Sequence, residues 1–318
     1  MTTQHIWELV TCDDPIEPLA RHLMDTVWTT EAFQAANTEG GLDDYLSKGE
    51  HAESKFEKGI YDIFSDVYRC LEGPHRLKQR LEQEVLGLDE FTLVIFDALS
   101  LRELPAVIEV LGDAGVEADV GYSFSCVPSD TTEFAQEHFQ AGGPAAIDGS
   151  LFASDVAYRH VKRQDWQPDF AADERRRVIW ALYPDNVFNL DHGAVSYGQH
   201  IVQPVQDILR AVLAADPVLP LVVTSDHGYV WQGGTAFWPV EGDEEKVLAS
   251  HFKQGRLTRE ATVQLVTGTD KAWVSGQTAA ARGRFAWGGK VKGATKLYKH
   301  GGVSLMECVV PWVTARQV

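Results

Sequence analysis

Apolar positions recur at helical spacing through the first 90 residues of the chain. PIEPLARHLMDTVW and KFEKGIYDIFSDVYRCL each predict an amphipathic helix, and GPHRLKQRLEQEVLGL predicts a third with a polar face. NTEGGLDDYLSKGEHAESK, between the first two, shows no such stripe and reads as a loop with a short helical piece. The texture changes at Phe91. FTLVIFD is a short apolar run, the pattern of a strand buried on both faces. RELPAVIEVLGDAG follows as a helix ending at Gly115. VEADVGYSFSCV, RRRVIWALYPD and LPLVVTSD predict further strands, the last preceded by the helix YGQHIVQPVQDILRAVLAAD. Strands alternating with helices of this length predict βαβ units, hence an α/β fold with a mostly parallel sheet flanked by helices. The chain divides into an N-terminal helical region, 1–90, and an α/β domain, 91–318. Two stretches, about 141–174 and 229–297, break the alternation and read as insertions beside the carboxyl edge of the sheet, where substrate sites are built.

Composition narrows the possibilities. The 318 residues, 44% hydrophobic, suffice for one large domain or two smaller ones. A formal net charge of -18 weighs against a nonspecific nucleic-acid coat, because phosphate backbones attract Lys and Arg surfaces. The same excess of carboxylates suits a site for divalent cations. Cys12, Cys70, Cys126 and Cys308 are scattered without metal or redox spacing, which fits a reduced chain. MTTQHIWELV has no basic segment leading into an apolar core, and no apolar run is long enough to span a membrane. A cytoplasmic location without membrane attachment is therefore expected.

The chemistry lies at the strand ends. In an open α/β sheet, ligands bind outside the carboxyl ends of the strands. VIFD ends in Asp97, and VIWALYPD ends in Asp185, with Asn189, Asp191 and His192 close behind. LVVTSDHG ends in Asp226 and His227, and LYKHGG places His300 after another short apolar stretch. GYSFSCV leads into PSDTT, with Thr131 and Thr132. Each member alone has a plainer reading. A strand-terminal Asp often caps the next helix, Thr131 or Thr132 could cap the helix EFAQEHF, and His300 could be a turn histidine. The joint pattern is what points to a site. Carboxylates with imidazoles form a donor set suited to zinc or manganese. Neighbours such as Asp226 and His227 diverge in an extended strand, and the turn at Gly228 would let them converge.

TSDHG, the strand ending in Asp97, PSDTT and the late HGGVSLMECVVPWV together resemble the PglZ domain of the alkaline phosphatase superfamily, over roughly 91–318. The resemblance implies an alkaline-phosphatase-like core with a two-metal phosphoester site. One ion would be held by Asp97, Thr131, Asp226 and His227, with Thr131 as nucleophile. The second would take Asp185, His300 and a further imidazole. The superfamily spacing puts that imidazole four residues after Asp185, where this chain has Asn189; His192 is the substitute at hand. Metal coordination would lower the pKa of the Thr131 hydroxyl, and the start of its helix would offer backbone N–H groups to phosphate oxygens. Arg256, Arg282 and Arg284 are the cationic candidates for substrate binding.

The function these features imply is a zinc- or manganese-dependent phosphodiesterase or phosphatase. The resemblance further implies a phage-defence (BREX-like) or signalling system, a nucleic-acid or nucleotide substrate, and protein partners. The alternative is a degenerate PglZ domain serving as a structural or interaction subunit, which Asn189 favours. A phosphosugar mutase would need a large cap that this sequence does not display.

Overall fold

The computed structural model describes residues 14–38, 41–71, 80–147, 156–188, 195–233, 236–253, 255–262, 265, 269–287 and 297–317. Six strands form the central sheet. Five are β1 (Phe91–Asp97), β2 (Glu117–Phe124), β3 (Val156–Val161), β4 (Arg176–Pro184) and β5 (Leu221–Ser225), and the sixth is the C-terminal strand Val309–Gln317. Their order is β2, C-terminal strand, β5, β1, β4, β3. β1 runs parallel to β4 and β5, and β3 runs parallel to β4. The C-terminal strand is antiparallel to both β2 and β5. The fold is α/β with a mostly parallel sheet, as the alternation predicts.

β1 sits in the middle and all seven of its residues are buried. Its side chains divide by parity, as strand geometry requires. Phe91, Leu93 and Ile95 enter one apolar cluster, with Trp180 and Trp312; Val94 and Phe96 enter the other, with Ile179 and Val223. Apolar residues face both ways because helices cover both faces. Removing one such side chain, as in Ile95→Ala, should cost about 2–5 kcal/mol.

Helix α1 (Ile16–His22), α2 (Thr30–Thr38), α3 (Leu42–Phe64) and α4 (Val67–Leu71) build the N-terminal region. Their apolar residues Leu19, Phe33, Ile60 and Tyr68 join the same cluster as Val94 and Phe96. The stretch read as a loop is the first half of α3. What misleads is its buried face, which carries Glu50, Glu53 and Glu57, all 0% exposed. Glu50 pairs with Arg102 and Arg284, and Glu53 with Arg284. Glu57 accepts from Tyr68 Oη at 2.9 Å and Leu305 N at 2.9 Å. These partners lie far along the chain, so no local pattern announces them.

The longer helices of the rest of the chain, among the described residues, are α5 (Leu104–Asp113), α6 (Thr131–Phe139), α7 (Gln203–Ala214) and α8 (Gly242–Phe252). The two insertions are built differently. The first contributes β3, an edge strand of the sheet itself. The second holds α8 and a three-stranded sheet with an apolar cluster of its own, containing Trp238, Leu248, Phe252 and Phe285. No helix among the described residues is long and apolar enough to cross a membrane.

Candidate metal centre

β1 and β5 are neighbours in register, with Phe96 opposite Ser225, so their next residues, Asp97 and Asp226, emerge side by side. His227 follows at once. A ligand atom from each of the three lies within 4.8 Å of the others. All three are buried, at 3%, 0% and 0% exposure. Gly228 permits this, by close approach rather than by an unusual dihedral. A Cβ there would meet Met306 O at 2.1 Å, and Gly228 N donates to Glu307 O at 2.9 Å. The strained backbone lies instead at Ala98, with φ +69°, whose N–H donates to Asp226 Oδ1 at 3.0 Å.

Hydrogen bonding fixes the state of His227. Nδ1 lies 2.9 Å from Gly228 O. A carbonyl only accepts, so Nδ1 carries the proton. Burial, with His300 adding, lowers the pKa of the ring to about 4, so it is neutral and Nε2 offers a lone pair. That nitrogen is 3.0 Å from Thr131 Oγ1, 3.6 Å from Asp97 Oδ1 and 3.7 Å from Asp226 Oδ2. Thr131 Oγ1 is also 3.2 Å from Asp97 Oδ1.

The two carboxylates are poorly served by protein alone. Asp226 Oδ1 accepts from Ala98 N and His227 N, yet Oδ2 is buried with no hydrogen-bond partner among the described residues. Burial pushes the pKa of Asp226 up to about 6. Burial, then the charges of Asp226 and Asp185, holds Asp97 well above the usual carboxylate range. Buried like charges around an orphaned oxygen and an imidazole lone pair are what a divalent cation would relieve. The donor set fits one.

A second group stands beside the first. β4 bulges at its end: Phe96 pairs with Ala181, but Asp97 pairs with Pro184. This brings Asp185 towards the site. His300 Nε2 is 3.3 Å from Asp185 Oδ1, and the His300 ring stacks on His227 at 4.4 Å between centroids. His300 Nδ1 is buried without a hydrogen-bond partner among the described residues. The structure thus brings together Asp97, Thr131, Asp185, Asp226, His227 and His300. Asn189, Asp191 and His192 lie outside the described residues.

Other expectations change. The cap of α6 is Asp130, one residue before the threonines, accepting from Thr132 N at 3.1 Å and Glu133 N at 3.4 Å. Those two amides are therefore not available to a phosphate. Arg256 and Arg284 are 2% and 1% exposed and committed to carboxylates. Arg256 forms a two-point pair with Glu307, both contacts at 2.8 Å, and Arg284 pairs with Glu50 and Glu53. Neither guanidinium is offered to a substrate; both are corrected to anchors of the surrounding loops. Arg282, half-buried, donates to Asp270 O at 3.2 Å. The cation near Thr131 that sequence reasoning passed over is Arg259. Its side chain is 52% exposed and lies 2.6 Å from Glu133 and 3.6 Å from Asp130. Its place beside Asp130 of PSDTT is purely tertiary, so no spacing marks it. Glu307, by contrast, stood in the HGGVSLME segment.

No family model matches the chain, and no curated protein matches it. Among solved structures, murine ectonucleotide pyrophosphatase/phosphodiesterase 5 in complex with AMP is similar at 11% identity, over 71% of this chain and 88% of that one, with a TM-score of 0.46. Phosphonoacetate hydrolase from Sinorhizobium meliloti 1021 in complex with phosphonoformate is similar at 12% identity, over 72% and 90%, with a TM-score of 0.41. Likeness at this level assigns no activity to the chain, and the functional reading rests on the site.

Proposed function

We propose that this chain is a metal-dependent phosphoester hydrolase of the alkaline phosphatase superfamily, with Thr131 as its nucleophile. One observation carries the reading: the Thr131 hydroxyl lies 3.2 Å from Asp97 and 3.0 Å from the His227 nitrogen that also stands 3.7 Å from the orphaned oxygen of Asp226. A threonine that merely opened a helix would have no reason to touch two buried ligand-type groups.

Asp97, Thr131, Asp226 and His227 would hold one divalent cation, zinc or manganese by the mixture of oxygen and nitrogen donors. Asp185 and His300 would hold a second, with His192 as the remaining donor. A bound cation would supply the acidification of the hydroxyl and neutralise charge developing on the phosphoryl oxygens. The chain's own residues hold the reactive geometry. Asp97 and His227 orient the Thr131 hydroxyl, and Asp130 fixes the start of the helix that carries it. The buried strand ends keep water from the inner face of the site. Exposed Arg259 is the cation placed to meet an anionic substrate.

The PglZ-like motifs support a finer reading: a phosphodiesterase acting on a nucleotide or nucleic acid in a cytoplasmic phage-defence or signalling complex, with protein partners. The test is metal content by mass spectrometry together with hydrolysis of bis-p-nitrophenyl phosphate and p-nitrophenyl phosphate. Bound zinc or manganese and turnover that Thr131→Ala abolishes are expected. A metal-free protein that reconstitution cannot activate on either ester would reject the enzyme reading in favour of a binding subunit.

A further inference from the structure

Thr131, at the start of α6, and His300, on a loop, come from distant parts of the chain, and one buried side chain joins the two segments. Ser129, 0% exposed, lies two residues before Thr131. Its hydroxyl donates to Gly302 O at 2.9 Å and accepts from Gly301 N at 3.2 Å. The backbone adds Ser129 N to Gly302 O at 3.3 Å and Gly301 N to Ser129 O at 2.9 Å. Gly301 holds φ +95° to make this turn. From the other side, Glu307 accepts from Gly302 N at 2.8 Å, and Arg256 holds Glu307.

We propose that Ser129 is a positioning residue that fixes the His300 loop against the nucleophile, and so sets the place of the second cation relative to Thr131. This rests on the two-cation reading above. Gly302 is gripped at both ends of its polar backbone, the N–H by Glu307 and the carbonyl by Ser129. Without the hydroxyl the carbonyl keeps one long amide contact, at 3.3 Å, and a distant thiol, Cys308 Sγ, at 4.0 Å. His300, two residues away, is then tied to the Thr131 segment through backbone contacts alone. Productive geometry in such sites tolerates displacements of only about 0.5 Å.

The test uses Ser129→Ala in the full chain. Amide exchange of segment 299–304 is followed in the metal-free protein, and zinc is titrated against a chromogenic chelator. Exchange should quicken by about tenfold or more, as expected for a loop that has lost a buried tie. The second zinc equivalent should weaken by about 10–100-fold, the usual cost of losing a supporting contact to a ligand. The first equivalent and the melting temperature should stay close to wild type. Unchanged exchange, or an unchanged second equivalent in a wild type that binds two, would overturn the proposal. So would equal weakening of both equivalents with a lowered melting temperature, which is plain destabilisation. A wild type that binds no zinc would instead overturn the metal reading, while the exchange measurement still decides whether Ser129 holds the loop.

Discussion

The two halves of the candidate centre are built differently. Asp97, Asp226 and His227 come from adjacent strand ends in the middle of the sheet, with side chains 5%, 0% and 0% exposed. Asp185 follows a bulged strand end and His300 opens a glycine loop, with side chains 23% and 30% exposed. The first half is rigid and carries electrostatic conflict: two acids and an imidazole without enough protons or donors among them. The second half is held by loop contacts and solvent softens its charges. Strands give ligand precision and store repulsion that a cation releases; loops give access and depend on supporting residues.

Replacing the group that the first half surrounds should have the largest effect. Thr131→Ala should cut ester hydrolysis by at least about 10³-fold, since the nucleophile itself is lost. It should leave most bound metal, because Asp97, Asp226 and His227 remain. Thr132→Ala should do far less, as its side chain has no contact with the ligand cluster. Rates for both variants at matched metal content make the check. The reverse ranking would shift the nucleophile by one residue.

Asp226→Asn should come next. It removes a negative charge from the buried half, so it should strip metal while making the metal-free fold no less stable. Melting with and without added zinc reads this out: the metal-induced rise should vanish and the metal-free midpoint should hold or increase. A normal zinc response would remove Asp226 from the ligand set.

His300→Ala probes the softer half. It should lower occupancy of one ion selectively and reduce turnover by about 10–100-fold, the range for a supported ligand rather than the reacting group. Normal metal count with normal activity would return His300 to a turn histidine, and would leave the first half as a one-metal site.

The two halves also differ in how far the sequence disclosed them. The central strands, and the Asp97 and Asp226–His227 strand ends, were legible because buried parallel strands leave unbroken apolar runs that stop at the site. The bulge that swings Asp185 inward leaves no such mark; only the strand ending in Asp185 could be read. β3 was hidden because VAYRHV, half-exposed at a sheet edge, is not an apolar run. The first half of α3 was hidden because buried glutamates look like solvent-facing ones until their arginines are placed. For the same reason Arg256 and Arg284 passed as substrate groups: a sequence shows a cation but not the carboxylate that has already claimed it.

Acidity should separate the halves by the smallest margin. Asp226 has a folded pKa raised to about 6 by burial, against an unfolded value near about 3.9. In the metal-free protein its contribution to stability is therefore complete below the unfolded value and is lost as pH rises through about 6. His227 runs the other way: its pKa is lowered to about 4, so its contribution is complete above about 6.5 and is lost as pH falls through 4. A cation needs Asp226 ionised and His227 neutral. His227 stays neutral until well below pH 5, so Asp226 sets the dependence. Lowering the pH from 7 to 5.5 should weaken the first zinc equivalent at least about fourfold, which is the proton competition of a single group with this pKa. The raised pKa of Asp97 acts in the same direction. Correspondingly, the zinc-induced rise in melting temperature should grow as pH increases through 6. Titrations at several pH values in a non-chelating buffer measure this. If zinc affinity is flat across that range, protons do not occupy the buried pair, and the repulsion ascribed to the first half is not what drives metal binding.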